Sequence, residues 1–266
     1  MIRLRTMAVF FALTGAGVCV RAAETLPREL EGVGVQEHLG AAVDLNLTFT
    51  NSDGTPVPLR ALFRDHKPVL LTLNYYECPM LCGLQLKALV TALRALDWTI
   101  GDEFRIVTVS INPNEGPALA AAKRRSVLES YDRGNVDWSF LTSDEPSVHK
   151  LAAQVGFGYR YDVEQKQYAH PTVLFALTPD GHIARYLYGL EFRPSDLKFS
   201  LMEASQGRTA STIDKVLLSC FHYDASVGRY APYAMGIMRL AGVVTVLIVG
   251  AMLILFWRRE RTRPTE

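Results

Sequence analysis

The sequence predicts an α/β fold, a central mixed sheet flanked by helices, with one transmembrane helix added at its C-terminus. Three observations predict it. Apolar, β-prone runs alternate with segments of helical period from residue 69 to residue 155. A strand pair around Thr178-Pro179-Asp180-Gly181 and one more helix close that series. Last, Leu240 to Trp257 carries no charge and is followed at once by Arg258, Arg259, Arg261 and Arg263. Strand–helix alternation builds parallel neighbours, a terminal hairpin adds antiparallel ones, and the helices cover both faces.

The two ends set a topology. Met7 to Val20 is apolar, with Arg3 and Arg5 before it and Arg21-Ala22 after it, which reads as a secretory signal over residues 1–23 cleaved after Ala22 or Ala23. The residues before Cys19 do not suit acylation, so no lipid is expected there. At 1.5 Å per residue the C-terminal run is about 27 Å long, enough to span a bilayer, and the predicted span covers residues 237–257. Tyr230, Tyr233 and Trp257 suit its interfaces, and the basic tail, residues 258–266, is cytoplasmic by the positive-inside rule. Everything between is then exported, giving a single-pass cell-membrane protein whose main domain is periplasmic. A formal charge of +1 leaves no basic footprint for nucleic acid.

Within the exported part, residues 24–36 read as a linker and 37–205 as the folded domain. Val43 to Thr50 alternates apolar and polar residues, Asn51-Ser52-Asp53-Gly54 turns the chain, and Val57 to Leu59 is extended again. A helical turn over Ala61 to Arg64 precedes a strand at Val69 to Tyr75 and a helix at Leu84 to Leu96, apolar at 84, 86, 89, 90, 93 and 96. Phe104 to Ile111 is a strand, Pro117 to Tyr131 a helix opened by its proline, and Trp138 to Leu141 a short strand. Glu145 to Val155 is a helix capped by Ser143 or Asp144, and Phe157 to Tyr161 is extended. Strands at Thr172 to Leu177 and Ile183 to Tyr188 lead to a helix from Pro194 that could run on to Ser219; residues 206–236 form a juxtamembrane segment.

Chemistry concentrates where the first central strand turns into its helix, at Cys78 and Cys82. If the helix starts near Pro79, residues four apart share one face, with Cβ atoms about 5–6 Å apart. A helix N-terminus favours thiolate. Two such sulfurs can close a disulfide, structural or redox-active, or chelate a soft metal ion, and the spacing does not choose between these. A thiolate metal site usually adds a histidine. His66, His149 and His182 read as solvated. His170 instead precedes Pro171 and a strand, where thioredoxin-like folds place a loop beside their cysteines. Cys220 and His222 form a second soft pair near the membrane, read as packing and solvated residues or, alternatively, as an auxiliary metal-ligand pair, with Cys220 dispensable for the main site.

The stretches NYYECPMLCGLQL, VTVSINPNEG and YAHPTVLFALTPDGHIARYLYG resemble the Sco/SenC family of copper-binding cytochrome oxidase assembly proteins over about residues 38–200. The resemblance implies a thioredoxin-like domain tethered outside the cytoplasm that binds one copper, Cu(I) or Cu(II), through Cys78, Cys82 and His170. It implies a metallochaperone, a thiol reductant or both, rather than a conventional enzyme. The client would be the binuclear copper centre of cytochrome c oxidase subunit II, with other copper chaperones or thioredoxin-like reductants as further partners. The competing expectation is a periplasmic thiol–disulfide oxidoreductase or peroxidase without stable metal. The chain departs from the family pattern at Gly83, usually proline, at Asn112, usually aspartate, and at Pro171, usually serine. Its membrane helix is C-terminal where the family's is N-terminal.

Overall fold

The computed structural model describes residues 32–77, 81–134, 136–205, 221–224, 229–232 and 242–254. The domain is organised around three parallel strands, β4 (Val69–Asn74), β5 (Arg105–Ser110) and β6 (Trp138–Thr142). Every residue of β4 and β5 is buried, because helices or loops cover both faces of these central strands. On the β4 side the sheet continues antiparallel into β10 (Val173–Leu177) and β11 (Ile183–Tyr188). On the β6 side it continues into β2 (Thr48–Asn51) and β3 (Pro56–Pro58). The order is β11-β10-β4-β5-β6-β2-β3.

Side-chain alternation along the strands splits the core in two. Leu70, Ile106, Trp138, Phe140 and Leu174 face α1 (Leu81–Arg94), α2 (Pro117–Tyr131) and α4 (Pro194–Ala204). Leu71, Leu73, Val107, Val109 and Phe175 face α3 (Glu145–Gln154) through Val148, Leu151 and Ala152. Local signals place these helices. Pro117 opens α2 and Asp132, in the left-handed region at φ 56°, ends it. For α3 the cap is Asp144, whose side chain accepts from the Ser147 N–H at 3.1 Å. In α1 the predicted apolar face is buried at Leu86, Leu89, Val90 and Leu93, but Leu84 is 52% exposed. It sits off that face, close to the cysteine turn.

Several boundaries differ from the sequence reading. The 3₁₀ turn falls at Leu59–Leu62, earlier than predicted, because Leu59 plugs into the core and pulls the turn forward. The predicted linker contains a strand: β1 (Gly34–Val35) pairs with β7 (Phe157–Gly158), so residues 34–36 belong to the domain. The stretch read as simply extended from Phe157 divides between β7 and a hairpin of β8 (Arg160–Asp162) with β9 (Gln167–Ala169). The helix from Pro194 is described to Ala204, and residues 206–220 lie outside the described residues. The predicted juxtamembrane segment carries a further hairpin, β12 (Phe221–Asp224) with β13 (Arg229–Pro232).

The signal over residues 1–23 lies outside the described residues. Residues 242–254 are helical, about 20 Å long at 1.5 Å per residue, and expose Val243, Val246, Leu247, Ile248, Leu253 and Ile254. Among the described residues no helix is long and apolar enough to cross a membrane. The predicted span 237–257 reaches past this helix at both ends, into residues outside the description.

Candidate metal centre

The turn that joins β4 to α1 leaves the carboxyl end of the central strand, where open α/β sheets gather their chemistry. Tyr75, Tyr76 and Glu77 are described. Cys78 is not, and Cys82 is described only as backbone within the first turn of α1. The first turn of α1 holds no acidic residue, although Glu77 directly precedes Cys78.

Two contacts bring the histidine loop to this turn. His170 lies between β9 and β10, and its ring meets that of Tyr75 edge-on with centroids 6.0 Å apart. The Phe157 ring approaches the same imidazole, with centroids 5.9 Å apart. In addition, Gln85 of α1 donates from Nε2 to the Val173 carbonyl at 3.1 Å. Gln85 is three residues after Cys82, Val173 is three after His170, and Tyr75 is three before Cys78. The helix that carries one cysteine and the strand that follows the histidine are therefore stitched together.

The histidine is prepared as a neutral donor. Burial holds the His170 imidazole below its ordinary range, against the opposing pull of its hydrogen bond to Pro171. Nδ1 lies 3.0 Å from the Pro171 carbonyl oxygen, which can only accept, so Nδ1 carries the proton and Nε2 keeps the lone pair. Histidines that bind metals commonly use this backbone-carbonyl contact to fix their tautomer. Two thiolates and one neutral imidazole form a donor set that suits Cu(I), and the residues present fit that ion. Beside the turn, the buried Asn74 amide and Gln85 Oε1 have no hydrogen-bond partner among the described residues. No cluster of three metal-ligating side chains occurs among the described residues, a set that excludes both sulfurs.

Four other histidines are described with their side chains. His38 bonds through Nδ1 to the Gln154 carbonyl at 3.1 Å, His66 is exposed, and His182 pairs with Asp180 at 3.3 Å. His149 lies on the exposed side of α3, 6.4 Å from the Tyr159 ring. Cys220 lies outside the described residues, and His222 is described only as backbone in β12.

One residue of the site escaped the sequence reading. Glu115, in the loop before α2, is 6% exposed, and its carboxylate accepts from the N–H of Tyr76 at 2.8 and 2.9 Å and of Glu77 at 2.8 Å. Ser110 donates its hydroxyl to the same carboxylate. It lies in the stretch VTVSINPNEG that carries the family resemblance, but nothing in the sequence singles it out as a site residue.

A thioredoxin-like sheet with a cysteine-bearing strand–helix turn, faced by a histidine loop from the neighbouring strand, defines a class of thiol and metal proteins. The SCO1/SenC family model matches residues 36–201, more than half of the chain, and the chain belongs to that family. An Aquifex aeolicus structure, named as a candidate electron transfer protein, is 25% identical with a TM-score of 0.54 over 62% of this chain and 94% of that one. Arabidopsis thaliana ScoI, solved with copper bound, is 16% identical with a TM-score of 0.50 over 63% and 98%. BsSco, a member of the Sco family of cytochrome c oxidase assembly proteins, is 21% identical with a TM-score of 0.50 over 65% and 98%. At those identities the last two support the fold alone. No curated protein matches the chain.

Proposed function

We propose that this protein is a membrane-tethered, extracytoplasmic copper chaperone and thiol protein. It would take copper as cargo on Cys78, Cys82 and His170 and pass it to the binuclear copper site of cytochrome c oxidase subunit II. The observation that carries the reading is the pair of contacts, Tyr75 with His170 and Gln85 with Val173, that join the histidine loop to the cysteine turn. Membership of the SCO1/SenC family, for which the sequence resemblance implies copper, supports the same metal. A two-sulfur, one-nitrogen site leaves coordination open, so an incoming ligand from a client can replace one donor at a time. The thiols must be reduced to hold the metal, so oxidation to a disulfide releases it. The exposed apolar side chains of helix 242–254 and the arginines after it support a C-terminal tether.

The test is Cu(I) titration of the reduced full chain in detergent against a competing chelator. One tight equivalent is expected, lost in Cys78→Ala and Cys82→Ala, weakened in His170→Ala and retained in Cys220→Ala. Normal binding by His170→Ala together with fast dithiol exchange would replace this reading with a periplasmic thiol–disulfide oxidoreductase.

A further inference from the structure

We infer that Glu115 is a positioning residue for the dithiol: its carboxylate clamps the Tyr76–Glu77 turn and so sets the path on which the chain enters Cys78. The inference rests on the thiol and copper reading of Cys78 and Cys82. It starts from a carboxylate buried in an unusual way. Among the described residues no cation pairs with Glu115, and its partners are neutral donors: the N–H groups of Tyr76 and Glu77 and the Ser110 hydroxyl. Burying a carboxylate without a countercharge is costly unless several hydrogen bonds meet its oxygens, so the clamp must be multidentate to persist.

Each donor comes from an element that matters to the turn. Tyr76 and Glu77 immediately precede Cys78, while Ser110 ends β5, so one side chain ties the turn to the neighbouring strand. Ser110 is itself oriented, since its oxygen accepts the Asn112 N–H at 3.1 Å. The far end of Tyr76 is fixed as well, its phenol donating to the Leu141 carbonyl at 2.6 Å. The residue two before Cys78 is thus held at its backbone and at its ring, by β5, β6 and the loop before α2. A structural plug could fill this space with an amide. Only a carboxylate offers acceptors alone, and each of its hydrogen-bond partners among the described residues is a donor.

The experiment uses the full chain in detergent, with Glu115→Gln, Glu115→Asp and the remote control Asp137→Asn, which cuts an ion pair at the opposite end of the parallel strands. Each is equilibrated with glutathione. One protein disulfide and two glutathiones give two cysteine thiols and one glutathione disulfide, moving two electrons. Loosening the turn lowers the effective concentration of one sulfur at the other. Glu115→Gln should therefore weaken closure of the disulfide roughly tenfold, an upward shift of about 30 mV for a two-electron couple. Its Cu(I) affinity should fall by roughly the same factor, as expected when a charged hydrogen bond is lost. Glu115→Asp, which keeps the acceptor oxygens, should recover much of both, and Asp137→Asn should lower stability while leaving both at the parent value. Glu115→Gln that loses stability with potential and affinity both unmoved would overturn the inference. So would a parent pair that never closes, since the turn would then not hold the sulfurs within reach. A parent that binds no Cu(I), but whose potential still shifts in Glu115→Gln, would keep the clamp and discard the copper reading.

Discussion

His170 stands edge-on to Tyr75 with ring centroids 6.0 Å apart, and the same imidazole leans on Phe157 at 5.9 Å. This aromatic lining takes the ring out of water, which is why its proton affinity falls below the ordinary 6.5. The stability of the metal-free protein should record this. The unfolded chain takes up a proton near pH 6.5 while the folded one resists until a lower pH, so unfolding binds a proton between the two values. Stability is then fully present above pH 6.5, declines as pH falls through that window, and levels off once the folded ring is also charged. Urea denaturation of metal-free protein between pH 7 and pH 5 should show this loss, and His170→Gln should flatten it. A slope unchanged in His170→Gln would assign the effect to another group.

Tyr76 is 2% exposed, and its phenol donates to the carbonyls of Leu141 at 2.6 Å and Thr108 at 3.2 Å. Burial, and then the nearby Glu115 charge, push its ionisation well above the ordinary range, so it remains a neutral donor at any working pH. Tyr76→Phe keeps the ring against Phe140 but removes the hydroxyl. The expected loss is about 1–2 kcal/mol, the usual magnitude when buried acceptors lose a donor, read as a lower urea midpoint with an unchanged slope.

Legibility in the sequence followed the range of the interactions. α2 was readable from Pro117 to Tyr131 because its start is a local steric signal, and α3 because Asp144 is a local cap. β4 was readable as a strand because a strand covered on both faces needs an unbroken apolar run. The β8–β9 hairpin was not, since its turn has no glycine and places Lys166 at φ 53° instead. β1 was hidden by the glycines that let it approach β7 so closely. Of the candidate site, Cys78, Cys82 and His170 stood out by residue type and by family resemblance. Glu115 could not, because only the parallel register of β4 on β5, with Asn74 opposite Ser110, brings its loop beneath Tyr76.

Asp137 accepts from Arg105 Nε at 2.6 Å and from Arg64 at 3.0 Å, and the Arg105 side chain is 5% exposed. Desolvation pushes the Asp137 carboxyl up, but hydrogen bonds from Arg105 and Arg64 outweigh it and hold the group below its ordinary 3.8. A depressed carboxylate contributes stability that is complete above the unfolded value and is lost as pH falls through the folded one. Asp137→Asn should therefore cost about 1–3 kcal/mol at pH 7, the usual range for charged hydrogen bonds. The gap between parent and variant should close as pH falls below 3.8 and the parent's carboxylate is at last protonated. Denaturant midpoints measured across that range are the check; a gap that stayed constant into acid would exclude the ion pair as its source.

Gly156 has φ +65°, and a Cβ built on it would lie 1.7 Å from the Gln36 carbonyl oxygen. The reason for this closeness is a backbone bond, Gln36 N–H to the Gly156 carbonyl at 2.8 Å, which docks the start of the domain beside β1 and β7. Gly156→Ala meets two penalties, a left-handed backbone and a collision with main-chain atoms that no side-chain rotation relieves. The segment should lift away rather than the core collapse, since Gln36 is held mainly from this side. The expected result is a loss of roughly 2–3 kcal/mol, as for other strained backbone positions. Amide exchange should accelerate at Val35 and Gln36 but stay slow in β4 and β5, whose ladder does not depend on the docked segment. Slow exchange retained at Gln36 in Gly156→Ala would mean that the backbone can shift to admit the methyl group, and that the glycine is not required for the docking of β1.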